Sequence, residues 1–241
     1  MKFKLIPALA YICLLTLLLA LGNWQWRRSE EKRVLLHLQE QAVSAATINL
    51  SAVTSDDAEN LRYRKIQAIG HYDTAHQFLI DNQISGGKPG YFVLTPFLLP
   101  DGLLQGAAKA VLVNRGWIPL NQNRAVLPEL SVTTVQTAIN GRINKFPSVG
   151  VKLTGAEIPT DTWPSVVQVV DSDILAKKLG YPLCRFQVEL DENNPDGFKR
   201  QWQTSALMLP EQHIAYAVQW LALALTLTIL FIWYSFKKKN D

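Results

Sequence analysis

The 241 residues carry 24 Lys and Arg against 20 Asp and Glu, and a pI near 9.0 would admit a nucleic-acid partner. The placement of the charge excludes one: Lys2, Lys4, Lys237, Lys238 and Lys239, with Asp241, lie outside two long apolar runs, and the segment between is formally neutral. Two cysteines, Cys13 in the first run and Cys184 far from it, exclude an intradomain disulfide and a CxxC redox centre.

Leu5 to Gly22 holds no charged residue over 18 positions, enough at 1.5 Å per residue to cross a hydrocarbon core about 30 Å thick. Pro7 falls in the first turn, where its missing N–H costs no internal bond. A cleaved signal peptide would have an apolar core of about 7–15 residues, shorter than this run. Trp24 and Trp26 fit an interfacial belt on a retained helix. Residues 29–41 keep a near-helical apolar spacing at Val34, Leu35 and Leu38, and the Ser-, Thr- and Ala-rich stretch from Ala42 to Asn60 reads as a linker.

From Leu61 short β-like runs alternate with turn residues, at Tyr63–Ile69, Gln77–Asp81, Tyr91–Leu98, Lys109–Asn114, Val135–Ile143, Val166–Val170 and Cys184–Leu190. The Gly-rich segment from Ser85 to Gly90 predicts a hairpin between the second and third, and Pro100-Asp101-Gly102 starts another turn. One helix interrupts them. Asp171 or Ser172 can cap Asp173–Leu179, Gly180 ends it, and Pro182 prevents its continuation. Cys184 reads as a small buried apolar residue.

Ile214 to Phe236 is the second uncharged run, 23 residues long. The expected fold is membrane-anchored α+β: two transmembrane helices at the termini flank a mainly antiparallel, barrel- or sandwich-like soluble domain with one or two short helices. The expected divisions are a first span over 5–22, a juxtamembrane helix and linker over 23–60, a mainly β domain over 61–212, a second span over 213–236 and a basic tail over 237–241. The terminal lysines place both ends in the cytoplasm or mitochondrial matrix and the domain outside, although Arg27, Arg28, Lys32 and Arg33 flank the first span on the domain side.

No GxSxG, P-loop, HExxH or GxGxxG element occurs, and no enzyme is expected. His71 and His76 lack a third metal ligand at a recognised spacing and read as exposed turn histidines, while His37 reads as part of a solvated helix face. At the head of the second span, His213, Tyr216 and Trp220 share a helical face with Gln219 at its margin. Two readings stay open there: an interfacial anchor, or a neutral imidazole that serves as an axial haem ligand with aromatic neighbours on the macrocycle.

Five segments in order resemble the surfeit locus protein 1 family, membrane-anchored cytochrome c oxidase assembly factors. Gly22-Asn23-Trp24-Gln25-Trp26-Arg27 with Lys32 is similar to the family's G-x-W-Q segment, and Tyr63-Arg64-Lys65 runs to Gly70-His71-Tyr72 like its G-x-[FY] strand. Gly90-Tyr91-Phe92-Val93-Leu94-Thr95-Pro96-Phe97 follows. The sharpest match is Val113-Asn114-Arg115-Gly116-Trp117-Ile118-Pro119, and the last is His213-Ile214-Ala215-Tyr216-Ala217-Val218-Gln219-Trp220. An Asn often precedes the family histidine, where this chain has Glu211-Gln212.

The resemblance implies an assembly protein, not an enzyme, that binds haem a as cargo at the membrane surface and aids its insertion into the catalytic subunit of cytochrome c oxidase. It implies His213 as axial iron ligand, with Tyr216, Trp220, Trp24, Gln25, Arg27, Arg115 and Trp117 as cofactor-binding residues. Propionates would pair with Arg27, Arg28 or Arg115, although a turn that holds Trp117 in a core explains Arg115 to Trp117 equally well. The implied partners are the oxidase catalytic subunit, haem a synthesis machinery and the lipid bilayer. The implied location is the bacterial inner (plasma) membrane, as a multi-pass protein with a periplasmic domain, or the mitochondrial inner membrane in a eukaryote. The other class of function is a cofactor-free scaffold that holds oxidase subunits during assembly.

Overall fold

The computed structural model describes residues 5–54, 59–100, 108–202 and 208–237. Asp101 and Gly102 of one expected turn, and Lys2, Lys4, Lys238, Lys239 and Asp241, lie outside them. Two compact units result: residues 1–37 with 204–241, and residues 38–203.

The first unit is a helix pair. Helix α1, Leu5–Ser44, is continuous through the apolar run and the amphipathic stretch after it, and its C-terminal part belongs to the second unit. Helix α3, Pro210–Lys237, forms the other member. Both are long and apolar enough to cross a membrane, and only 11% of the most apolar window of each is buried. Leu5, Ile6, Leu225 and Ile229 are more than half exposed, so protein covers one stripe of each helix and leaves a large apolar surface uncovered. The helices are antiparallel. Tyr11 stacks on Phe231 at 4.1 Å and donates to Thr228 Oγ1, while Gly22, Gln25 and Ser29 meet progressively earlier residues of α3.

The second unit holds β1 (Ile48–Asn49), β2 (Lys65–Tyr72), β3 (Phe78–Ser85), β4 (Lys88–Leu98), β5 (Ala110–Pro119), β6 (Gln136–Asn144), β7 (Ser165–Val167), helix α2 (Ser172–Leu179) and β8 (Leu183–Leu190). All seven expected runs are strands. The eighth, β1, and the one-turn helix Leu50–Ala52 that follows lie inside the expected linker, where Leu50 and Val53 are buried. His71 also differs from expectation, since it lies within β2 and not in a turn.

The strands form one eight-stranded sheet in the order β1-β2-β6-β8-β5-β4-β3-β7, with a further two-residue pairing of β2 to β4 at His71–Leu98 and Tyr72–Phe97. The expectation of a mainly antiparallel sheet is corrected, because β1–β2, β3–β7 and β5–β8 are parallel. Alternating apolar residues show that a strand exists and which face it buries, but carry no information on the direction of a partner far along the chain.

β5 is buried on both faces. Val111 and Val113 pack with Phe97, Phe186 and Val188, while Ala110 and Leu112 pack with Phe78, Leu94 and Leu175 of α2. Asp171 caps α2 by accepting from the amides of Asp173 and Ile174, and Gly180, at φ 79°, closes it. Gly86 and Gly87, both at positive φ, make the β3–β4 turn. Cys184 is buried, and loss of hydration pushes its thiol up to about 12, which leaves it an inert core residue.

The segment Val113 to Pro119 contains a β-bulge. Phe92 and Leu94 of β4 face Trp117 and Asn114, so β5 carries one extra residue at Arg115-Gly116. Gly116 has φ 111°, and a Cβ there would stand 2.8 Å from the Lys199 carbonyl oxygen. The bulge thereby accepts the segment after β8 as an extra partner: Phe198 N–H donates to the Arg115 carbonyl, and Trp117 and Lys199 exchange two backbone bonds. Gly116→Ala is expected to cost about 2 kcal/mol or more and to lower the unfolding midpoint of the detergent-solubilised chain by about 5 °C. Gly150→Ala, where a Cβ meets nothing within 4 Å, serves as the unshifted control in the same thermal melt.

Candidate functional site

Within the helix pair, Gln25 and His213 form the buried polar centre. They are 8% and 7% exposed, and His213 Nδ1 lies 2.7 Å from Gln25 Oε1. A carboxamide oxygen only accepts, so Nδ1 is the donor, and in a neutral imidazole that leaves the lone pair on Nε2. A hydrogen bond of this kind, to the ring nitrogen away from the metal, holds a metal-ligating imidazole in one tautomer and orientation. One turn further along α1, the buried Ser29 hydroxyl donates to the Pro210 carbonyl at 3.0 Å. This bond fixes the start of α3 and therefore the height of His213 against Gln25.

The head of α3 follows from its local sequence. Pro210 occupies the first helical position, and Gln212 reaches back so that its Oε1 accepts from the Leu209 amide at 2.8 Å. Gln212 is therefore a helix cap. The carboxamide that faces the imidazole comes from α1.

The other expected residues divide into three groups. Tyr216 and Trp220 lie one and two turns from His213 on α3; Tyr216 is 43% exposed, and the buried Trp220 indole N–H has no acceptor among the described residues. An unmatched donor on the histidine's own face is one mark of a surface that awaits a polar partner. Trp24 and Trp26 are about half exposed on either flank of Gln25, and the Arg28 guanidinium lies 6.0 Å from the Trp24 ring. Arg28 is also paired with Glu31 at 2.8 Å, and Arg27 points about 160° away from Gln25 around the helix at 100° per residue.

Arg115 and Trp117 belong to the core of the soluble unit. Arg115 is 1% exposed; its Nε donates to the Asp196 carbonyl, NH2 to the Ser131 carbonyl and NH1 to Gln77 Oε1, and it stacks over Phe198. Burial pulls its pKa down, but these acceptors retain the charge. Trp117 Nε1 donates to the Gln83 carbonyl. Every polar group of the two side chains has a partner within the unit, so their geometry is that of the structural reading.

The soluble unit also holds a polar cluster in which Asp73 Oδ2 accepts from Tyr181 and meets His76 Nδ1, with the His76 ring edge-on to Trp163. Among the described residues no group of three His, Cys, Asp or Glu side chains could hold a metal ion. Sequence reasoning missed Ser29 and Tyr11. The Gly22, Gln25 and Ser29 spacing of three and four was its available signal, a small or polar stripe on an otherwise apolar helix.

Comparison with known proteins matches the model of the SURF1 family to residues 12–225. The chain belongs to the SURF1 family. A SURF1-like protein of Rickettsia felis is 24% identical over 238 residues, covering 97% of each chain. Surfeit locus protein 1 of Arabidopsis thaliana is 26% identical over 256 residues, 87% of this chain and 72% of that one. The cytochrome oxidase assembly protein SHY1 of Saccharomyces cerevisiae is 33% identical over 99 residues, 41% of this chain and 24% of that protein. The SURF1 match takes in both members of the helix pair, with Gln25, Ser29 and His213 inside it.

The tautomer assignment has a direct test. In protein carrying 15N-labelled histidine, Gln25→Leu is expected to convert the His213 signal from a single Nδ1-protonated tautomer to a mixture, with the helical circular dichroism unchanged. An unchanged imidazole spectrum would show that Gln25 does not set the proton.

Proposed function

We propose that this protein assists the assembly of a haem–copper cytochrome c oxidase, holding haem a as cargo at the membrane surface and aiding its insertion into the catalytic subunit. The observation that carries the reading is the Gln25–His213 bond, which leaves an imidazole Nε2 free to ligate iron. The name of the yeast relative, a cytochrome oxidase assembly protein, supports the assembly role. Haem a suits such a location because its farnesyl tail favours hydrocarbon and its propionates favour water. His213 stands at that change of environment, where the uncharged run of α3 begins and the charged segment of α1 from Arg27 to Arg33 lies alongside.

His213 is the axial ligand in this reading. Gln25 positions it, and Tyr216 and Trp220 contact the macrocycle. Trp24 and Trp26 anchor α1 at the lipid boundary. The two terminal helices cross the bacterial inner membrane, or the mitochondrial inner membrane in a eukaryote, with both ends in the cytoplasm or matrix and the soluble unit on the other side. The protein does no covalent chemistry on the cargo.

Co-expression with the enzymes of haem a synthesis should yield coloured wild-type protein, and His213→Ala should remove most of the haem absorbance while the yield of folded protein persists. A colourless wild type under these conditions would instead favour a cofactor-free scaffold for oxidase subunits. Orientation is tested separately. Val151→Cys, on the exposed surface of the soluble unit, should react with a membrane-impermeant maleimide from outside intact cells, and Asp241→Cys should react only after lysis.

A further inference from the structure

The face that α1 turns to α3 is fixed by three contacts. A Cβ on Gly22 would meet Leu221 at 3.5 Å, Gln25 bonds His213, and Ser29 bonds the Pro210 carbonyl. The next residue on this stripe is Lys32, seven beyond Gln25, which at 100° per residue is turned only about 20° from it and lies about 10.5 Å further along the axis. By that height α3 has ended, since its first residue, Pro210, is level with Ser29. Lys32 therefore continues the stripe past the end of the partner helix, on the water side of His213.

The other cations of the segment are excluded one by one. Arg27 is on the far side of α1 from Gln25. Arg28 and Arg33 are neutralised by Glu31 at 2.8 Å and Glu30 at 3.2 Å. Lys32, half-buried, makes no ion pair or hydrogen bond among the described residues. Its ammonium is not among the buried unpartnered groups, so the stem is covered while the charged end reaches water, on the same face of α1 as the residue that meets the imidazole.

We infer that Lys32 is the contact for the carboxylate edge of the cargo held at His213, so that the bound macrocycle stands with its acid groups toward Lys32 and its apolar edge toward the uncharged run of α3. The assignment rests on the proposed role of His213, and it replaces Arg27, Arg28 and Arg115 as the propionate partner. The ammonium donates a charge-assisted hydrogen bond to a carboxylate oxygen. A lipid phosphate offers similar anionic chemistry, and the test separates the two.

Full-length protein in nanodiscs of zwitterionic lipid is titrated with haem a and with its propionate dimethyl ester, followed by absorbance. Lys32→Gln should weaken haem a binding about 10-fold and leave ester binding unchanged, as expected for loss of one charge-assisted bond. Lys32→Arg should restore most of the affinity, and His213→Ala should weaken both ligands alike. Equal haem a binding by wild type and Lys32→Gln, with His213→Ala still impaired, overturns the Lys32 assignment and leaves the iron ligand standing. Full binding by His213→Ala sinks the iron reading itself. An effect of Lys32→Gln confined to nanodiscs that contain anionic lipid also overturns the assignment, because the partner is then a headgroup phosphate.

Discussion

The hydrogen bond between Gln25 and His213 joins two helices at the ends of their long uncharged runs, Leu5 to Gly22 and Ile214 to Phe236. In hydrocarbon the association of such helices draws little from the hydrophobic effect, and polar or small groups on the shared stripe decide how they meet. Gly22 allows close approach, Gln25 and Ser29 each satisfy a group on α3, and Tyr11 closes the other end against Phe231 and Thr228. With this register set, His213, Tyr216 and Trp220 acquire defined positions, and so does Lys32. A shift of one residue in either helix would rotate the imidazole away from its partner by about 100°.

The soluble unit depends on a different buried group. Arg115 enters the core because the bulge at Arg115-Gly116 turns it inward, and its guanidinium then ties together Gln77, Ser131 and Asp196, residues from three separate parts of the chain. Thr95 joins the same network by donating to Gln77 Oε1. Asp196 extends it, since its carboxylate accepts from the Thr133 and Thr134 amides. Tyr72, buried beside these charges, is pushed up to about 12 by loss of hydration. The most recognisable motif of the sequence is therefore explained by packing, since Asn114, Arg115, Gly116 and Trp117 each have an internal partner or a steric requirement.

This division changes the meaning of the sequence pattern. A motif with Arg and Trp near a turn suggests a ligand clamp as readily as a core fastening, and the residue types alone do not separate them. Burial does: Arg115 at 1% exposure has no face left for an external anion. Conversely, Lys32 carries little signal in a charged segment until the helix pair shows which of its neighbours point toward His213.

The sequence by itself determined the two apolar helices, seven of the eight strands, the cap and stop of α2, and the polar face at the head of α3. These depend on periodicity, on the lack of charge over a membrane's thickness, and on local backbone preferences of Pro, Gly and Asp. It also carried the family resemblance, through short segments in a fixed order. The tertiary structure alone decided the parallel pairings of β1, β7 and β8, the burial of Arg115, and the meeting of Gln25 with His213 across 188 residues of chain. Such contacts are set by register and packing between distant segments, and no local preference of the residues involved encodes their partner.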